Sequence, residues 1–438
     1  MKRLLYSDLY FEKRDFLRVT VEPDKVEELS SGSERGLAFR KIFSDFQNHY
    51  TYLTDNYHTL LKENKLPFAR DSLAEFGTRM DSLLNESPFS LSIDKIFSFL
   101  EDLKKNIPTS PHIKHYRLSL SQRISQVLLL ASDGALHQTT RTYFRVMALV
   151  VAERDGRLER GYEAKGYTLS MEEALRVDPD LLKVSQKACE LALLMLDAKK
   201  APAGVMPVIL AGEAGGTMIH EAVGHGLEAD HAEEGLSVYS GRLGEKVASP
   251  LITVIDDPTL PHLYGSYEID DEGTKALKTV LIEKGILKDF LYDRYTALKY
   301  NKKPNGHGRR ESFRHLPIPR MSNTYIAPGP HKKEEILRSI DKGLLVKKMG
   351  GGEVNPLTGD FVFEVREGYY LEKGEICYPV KGALLVGNGP KVLESIDMVS
   401  DDLHFEAGTC GKDGQGVPVS DGQPSLRIPE ITVSGSLE

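Results

Sequence analysis

The sequence predicts an α+β fold: a mixed α/β N-terminal domain over residues 1–198, followed over 199–438 by a C-terminal domain of antiparallel β-sheets carrying one histidine-bearing helix. Three observations carry that expectation. Helical and strand periodicities alternate in the first half, the chain breaks at "KKAPAG" (199–204), and the apolar runs beyond are mostly short, β-rich and closed by Gly or Pro turns. A chain of 438 residues also exceeds the usual size of one core, so about two or three domains are expected.

In the first half, "DFLRVTVEP" (15–23) and "GLAFRKIF" (36–43) have strand character, while "DSLAEFGTRMDSLLN" (71–85) and "SIDKIFSFLEDLKKNI" (92–107) repeat apolar residues at helical spacing. From 112 to about 170 the pattern changes to hairpins, with "SDG" and "RDGR" supplying Asp-Gly turns, so a sub-boundary is expected near 108. The helix "DPDLLKVSQKACELALLMLDAK" (178–199) starts with Asp and Pro, ends with basic residues, and leads into the main boundary near 199. Strands follow at "MPVILAG", "SPLITVIDD", "KTVLIEKGILKDFLYD", "DFVFEVREGYYLEKGEICYPVKGALLVGNGP" and "SLRIPEITVSG".

A formal charge of −8 argues against a nucleic-acid-binding surface, which needs clustered Lys and Arg. The longest apolar runs, "VMALVVA" and "LALLML", cannot span a bilayer, and the apolar run in "MKRLLYSDLYFEKRDF" is too short for a signal peptide, so a cytoplasmic protein is expected. Three cysteines make no disulfide framework. Cys189 and Cys377 read as buried small hydrophobes, whereas Cys410, in "EAGTCGKDGQGVP", reads as part of an exposed turn where a free thiol needs a task such as metal binding.

The chemistry concentrates in "GGTMIHEAVGHGLEAD" (215–230), which follows a strand and a glycine-rich turn and takes Thr217 as its expected N-cap. No Gly-Lys-Ser/Thr follows the turn, which excludes a standard phosphate loop. On a regular helix, side chains five residues apart diverge by about 140°. His220 and His225 can therefore share an ion only if the helix tightens, ends or carries a π-bulge between them, a distortion that Gly224 and Gly226 make cheap. Otherwise the two histidines are polar residues at a fraying helix end and Glu221 is a solvated charge. Two imidazoles beside a carboxylate suit a catalytic zinc, with Glu221 taking the proton of the attacking water. The third ligand is open among Glu228, Asp230, His231, the acidic 269–273 segment and the cysteines.

These motifs, together with "LGEKVASPLITVIDD", "YEIDDEGTKALKTVLIEKGILKDFLYDR", "GHGRRESFRHLPIPRMSNTYIAPG", "MGGGEVNPLTGDFVF", "VKGALLVGNGP" and "CGKDGQGVPVSDGQPSLRI", resemble the motif-bearing, TldD-like branch of the TldD/PmbA family, once called modulator of DNA gyrase. The match runs in family order from about 205 to the C-terminus, and more weakly through the first half. The resemblance implies zinc on His220, His225 and Cys410, with Glu221 as catalytic base. It further implies hydrolysis of unstructured peptides inside an enclosed cavity, by a homodimer or by a heterodimer with a motif-free paralogue; no membrane or direct nucleic-acid partner is expected. The alternative is a non-catalytic scaffold or regulatory subunit, against which the intact glutamate speaks. One departure is His307, where the family pattern has a small polar residue, usually Asn. Substrate contacts are expected from Gly350, Gly351 and Gly352, which let a peptide backbone approach, and from the 309–320 segment, where Arg309 and His315 are the chosen candidates.

Overall fold

A computed structural model describes residues 2–62, 66–86 and 92–435. The first half of the chain forms one six-stranded antiparallel sheet of β1 (Leu4–Glu22), β2 (Lys25–Phe43), β3 (Asn48–Leu53), β4 (Ile113–Ala131), β5 (Leu136–Arg154) and β6 (Arg157–Tyr167), in the spatial order β3-β2-β1-β4-β5-β6. Asp155 and Gly156 take positive φ, 54° and 75°, and close β5 onto β6 as Asp-Gly chemistry demands. Helices α1 (Arg70–Asn85), α2 (Ile93–Lys105) and α3 (Val184–Leu196) bury their apolar stripes on this sheet. Phe76, Met80 and Leu83 pack with Leu9, Phe11 and Leu128, while Phe99, Leu103 and Ala188 pack with Leu118, Leu120 and Phe144. Position 108 does not interrupt the sheet, because β1 and β4 pair from Asp8↔Ala131 to Val21↔Leu118 and each covers an edge of the other.

The second half contributes β7 (Gly204–Leu210), β8 (Val254–Asp256), β9 (Thr279–Glu283), β10 (Asn323–Ile326), β11 (Lys342–Val354), β12 (Asp360–Glu372), β13 (Leu384–Asn388), β14 (His404–Lys412), β15 (Gln415–Gln423) and β16 (Leu426–Ser434). Five of these close into a ring: β11 pairs β7, β7 pairs β16, β16 pairs β13, β13 pairs β12, and β12 returns to β11. A second, open sheet runs β9-β8-β10-β15-β14, with Ile286 and Leu287 outside β9. The sheets are not purely antiparallel as expected: β7 runs parallel to β11, and β10 to β15. Long excursions separate both pairs in sequence, and parallel pairing requires such crossovers.

The two halves meet through buried charge. Arg40 bridges Asp8 of the N-terminal sheet at 2.6 Å and Glu272 of the 256–313 region at 2.7 Å, all three fully buried, and Arg141 pairs with Asp271 at 2.7 Å. No helix among the described residues is long and apolar enough to cross a membrane. Cys189 is buried in α3, but Cys377 is exposed. Its strand, Glu375–Lys381, lies outside the ring with its first three residues facing solvent, so β-propensity there does not imply burial.

Candidate metal centre

After β7 the chain turns through 212–216 into a helix whose first residue is Thr217. Gly216, not Thr217, occupies the cap position and makes no side-chain cap. Its N–H donates to the Asp421 carbonyl at 3.3 Å, and a Cβ there would meet the Gly422 nitrogen at 2.5 Å. Close strand packing has replaced side-chain capping.

At His220 the helix leaves α geometry. The N–H of His225 donates to the carbonyl of His220, five residues back, so His220–Gly224 is a single π turn, followed by a tight 3-10 turn over His225–Leu227. The extra residue is absorbed, and the two imidazoles face each other with centroids 5.0 Å apart and planes at 89°. Gly224 serves this turn sterically rather than through conformational freedom. Its φ of −56° is ordinary, but a Cβ would fall 2.0 Å from the sulfur of the fully buried Met321.

Cys410 arrives from the hairpin of β14 and β15. The exposed turn expected around it lies three residues later, where Asp413 and Gly414 take positive φ; Cys410 itself is on β14 and only 2% exposed. Arg320, fully buried, donates to the Cys410 carbonyl at 2.6 Å and to that of Gln415 at 3.3 Å, fixing the hairpin. The thiol Sγ stands 3.4 Å from His225 Nε2, and one donor atom from each of His220, His225 and Cys410 lies within 4.8 Å of the others. Tetrahedral zinc with nitrogen and sulfur at about 2.05 and 2.3 Å needs an N···S separation of about 3.6 Å, so the donor set fits that ion.

The outer partners of the histidines suit the same task. His220 Nδ1 is 2.7 Å from Asp421 Oδ1, and His225 Nδ1 is 3.0 Å from Glu228 Oε2. A carboxylate on Nδ1 fixes the tautomer that leaves Nε2 as a ligand. Burial opposes charge on His225, yet Glu228 and Cys410 lift its pKa to about 9; burial would raise the Cys410 thiol, but His220 and His225 bring it down to about 6. Burial likewise opposes ionisation of Glu228, and Lys412 and His225 overcome it, holding that carboxyl well below its usual range.

Lys412 also accounts for the other nearby candidates. Its ammonium donates to Glu228 at 2.9 Å and to Asp230 at 2.7 Å, while His231 Nδ1 lies 3.0 Å from the His225 carbonyl oxygen. The group Glu228, Asp230 and His231 thus already holds a cation. Asp271 and Glu272 of the acidic segment belong to the seam between the halves, and Asp270 beside them accepts the Gly308 N–H at 3.1 Å. Glu221 is half-buried beside His220, and its carboxylate makes no hydrogen bond or ion pair with the described residues.

Asp421 was not anticipated. The turn at Asp413 and Gly414 is its signal, since a hairpin folded there pairs Cys410 with Val417 and Glu406 with Asp421, setting Asp421 on the Cys410 face. Arg309 is buried, donates to the carbonyls of Met321 (2.5 Å) and Pro418 (2.8 Å), and lies over the Tyr267 ring, so its guanidinium ties loops together. His315 is half-buried, with Nδ1 3.0 Å from the Ser312 hydroxyl. Gly350, Gly351 and Gly352 form a bulge in β11 opposite β12. On its other side β11 pairs with β7 only from Leu344 to Val346, and among the described residues no strand pairs with that edge beyond. His307, the departure from the family pattern, is fully buried, with Nε2 3.2 Å from the Thr279 hydroxyl.

Comparison with known proteins places the chain in a family. Residues 86–196 match the PmbA/TldA metallopeptidase central domain and residues 203–435 the PmbA/TldA metallopeptidase C-terminal domain. The metalloprotease TldD homolog of Haemophilus influenzae is 36% identical over 98% of this chain and 93% of its own length. The zinc metalloprotease TldD homolog of Saccharolobus solfataricus is 28% identical over 98% and 96%. The crystal structure of TldE from Thermococcus kodakarensis superposes with a TM-score of 0.74 at 19% identity, covering 98% of this chain and 97% of that one, which establishes the fold alone.

Proposed function

The chain belongs to the PmbA/TldD metallopeptidase family, and on that premise we propose that it is a zinc-dependent peptidase acting on unstructured peptides. The observation that carries the reading is the buried His220, His225 and Cys410 donor set, with a carboxylate behind each imidazole. A zinc ion bound there supplies Lewis acidity and lowers the pKa of water.

The remaining work falls to this chain's own groups. Glu221, next to His220 and without a hydrogen-bond partner among the described residues, accepts the proton of the attacking water and returns it to the leaving amine. Asp421 and Glu228 hold the imidazoles in the ligating tautomer. The edge of β11 beyond Val346, unpaired there among the described residues, accepts a peptide as an added strand, with the exposed Gly351 and Gly352 letting its backbone approach. An unstructured substrate suits this edge because its backbone groups are unpaired. The family resemblance adds a dimer, with itself or with a motif-free paralogue.

Metal analysis and peptide digestion test the reading together. Cys410→Ser is expected to retain the fold and lose zinc, and full zinc occupancy in that variant would remove Cys410 from the ligand set. Glu221→Gln is expected to keep zinc and lose cleavage by at least about 100-fold, in line with general-base contributions. Turnover at the wild-type rate would exclude Glu221 as the base.

A further inference from the structure

Resting on the peptidase reading, we propose that a cavity adjoining the donor set is a cation-selective substrate subsite, with Glu406 as its specificity-determining residue and an ammonium or guanidinium group of the peptide as its ligand. The cavity, of about 380 Å³, lies among β6, α3, β11, β12 and β14.

Its connection to the donor set follows from the β14–β15 hairpin. Alternate residues share a face, so Cys410, Gly408 and Glu406 project to the same side of β14, opposite Val417, Val419 and Asp421 of β15. That this is the metal face is fixed at two points, by Cys410 against His225 and by Asp421 against His220. Gly408 lies between. A Cβ there would make only ordinary contacts, 3.5 Å to Val419 and 3.7 Å to Asp421 Oδ2, so no steric demand requires glycine. The missing side chain leaves a trough from Cys410 to Glu406, roughly 13 Å long at the rise of a strand. A peptide lying along it would reach Glu406 three to four residues from the bond at the metal.

The charge inventory selects the ligand. Five carboxylates and three lysines line the cavity. Lys348 is committed to Glu163, Glu213 is paired with Lys333, Glu190 accepts from the Gln186 amide and Glu367 from the Tyr369 hydroxyl. Lys187 and Lys347 also stand in the wall, so carboxylates outnumber ammonium groups without excluding them. Glu406, its side chain laid over the Gly215 turn, makes no hydrogen bond or ion pair with the described residues and faces a second carboxylate, Asp421, directly across the strand pair. Like charges placed so are mutually unfavourable, and a cation between them relieves the repulsion. Burial pushes the Glu406 pKa upward; Lys348, Lys165 and Lys187 act against that rise, and Asp421 adds to it. The wall formed by Lys347 and Lys348 begins that edge of β11, so a strand added there runs past this cavity.

The cation could be a Lys or Arg side chain or the peptide's α-ammonium, and the experiment separates them. Matched unstructured peptides carrying Lys, Arg, norleucine or Glu at each position in turn, with free or acetylated N-termini, are compared for kcat/KM with the zinc-loaded chain. Binding to the Glu221→Gln variant is followed in parallel by fluorescence anisotropy. The expected result is a preference of about tenfold for cationic over norleucine peptides three to four residues from the cleaved bond, equivalent to about 1.4 kcal/mol. Glu406→Gln is expected to bring that ratio to about one, and Glu406→Lys to shift it toward Glu peptides, with zinc content unchanged in both. A higher kcat/KM for free than for acetylated N-termini, whatever the side chain, assigns the α-ammonium; a Lys or Arg preference that persists on acetylation assigns the side chain. Absence of any charge preference, or a preference that Glu406→Gln leaves in place, overturns the subsite. Glu406-dependent binding without cleavage of any peptide would support the subsite while removing the peptidase reading.

Discussion

His220 and His225 differ from neighbouring polar residues in what stands behind them. Each has a carboxylate on Nδ1, at 2.7 Å from Asp421 and 3.0 Å from Glu228, and such partners typically change metal affinity by about 10- to 100-fold. Asp421→Asn is accordingly expected to weaken zinc binding by that factor with the fold retained, as read by competition with a chromogenic chelator. Glu228→Gln should do more, because it also removes one of the two carboxylates that neutralise the buried Lys412. Its expected signature is a lower melting temperature even without metal, which Asp421→Asn should not show. The histidines and Glu221 were legible in the sequence because they are contiguous; Asp421 was not, because its relation to His220 spans a separation of 201 residues.

At the scale of elements, "HEAVGH" carries a geometric demand: the helix has to leave α geometry between its histidines if both are to reach one ion. The π turn over His220–Gly224 meets it. What the sequence did not reveal was why Gly224 is glycine, since its backbone is ordinary and its constraint is Met321, 97 residues away in the chain. The distinction gives opposite predictions for Gly224→Ala. Helix propensity alone would make alanine stabilising by up to about 1 kcal/mol. A Cβ at 2.0 Å from a buried sulfur instead predicts destabilisation of about 1–3 kcal/mol by overpacking. We expect overpacking to win, with a lower denaturation midpoint and weakened zinc binding. A midpoint at or above wild type would return Gly224 to a conformational role.

Across the whole molecule, the halves are joined by charges taken out of water. Arg40 answers both Asp8 and Glu272, and removing one member of a buried set costs about 3–5 kcal/mol because the others stay buried without it. Arg40→Met should therefore lower the unfolding midpoint strongly although it lies on the N-terminal sheet, far in sequence from the metal centre. Asp270 beside that seam is pushed up to about 8 by burial and by Glu272. A carboxyl whose native pKa is raised binds more protons folded than unfolded, so its contribution is fully present below about pH 4 and lost as pH rises through about 8. Thermal unfolding is expected to show stability declining from about pH 5 to pH 9, with the slope reduced in Asp270→Asn; an unchanged slope would place the ionisation elsewhere.

The sequence by itself determined the strand and helix periods, the Asp-Gly turns, the family, and the local conflict between histidine spacing and helix geometry, because each rests on residues near one another or on motifs held in order. The tertiary structure decided which distant groups meet. It buried Cys410 where glycines had suggested exposure, exposed Cys377 where β-propensity had suggested burial, turned Arg309 into a loop tie, and ran two strand pairs parallel. The physical reason is common to all four: burial and pairing depend on which surface arrives from elsewhere in the chain, and local propensity carries no record of it.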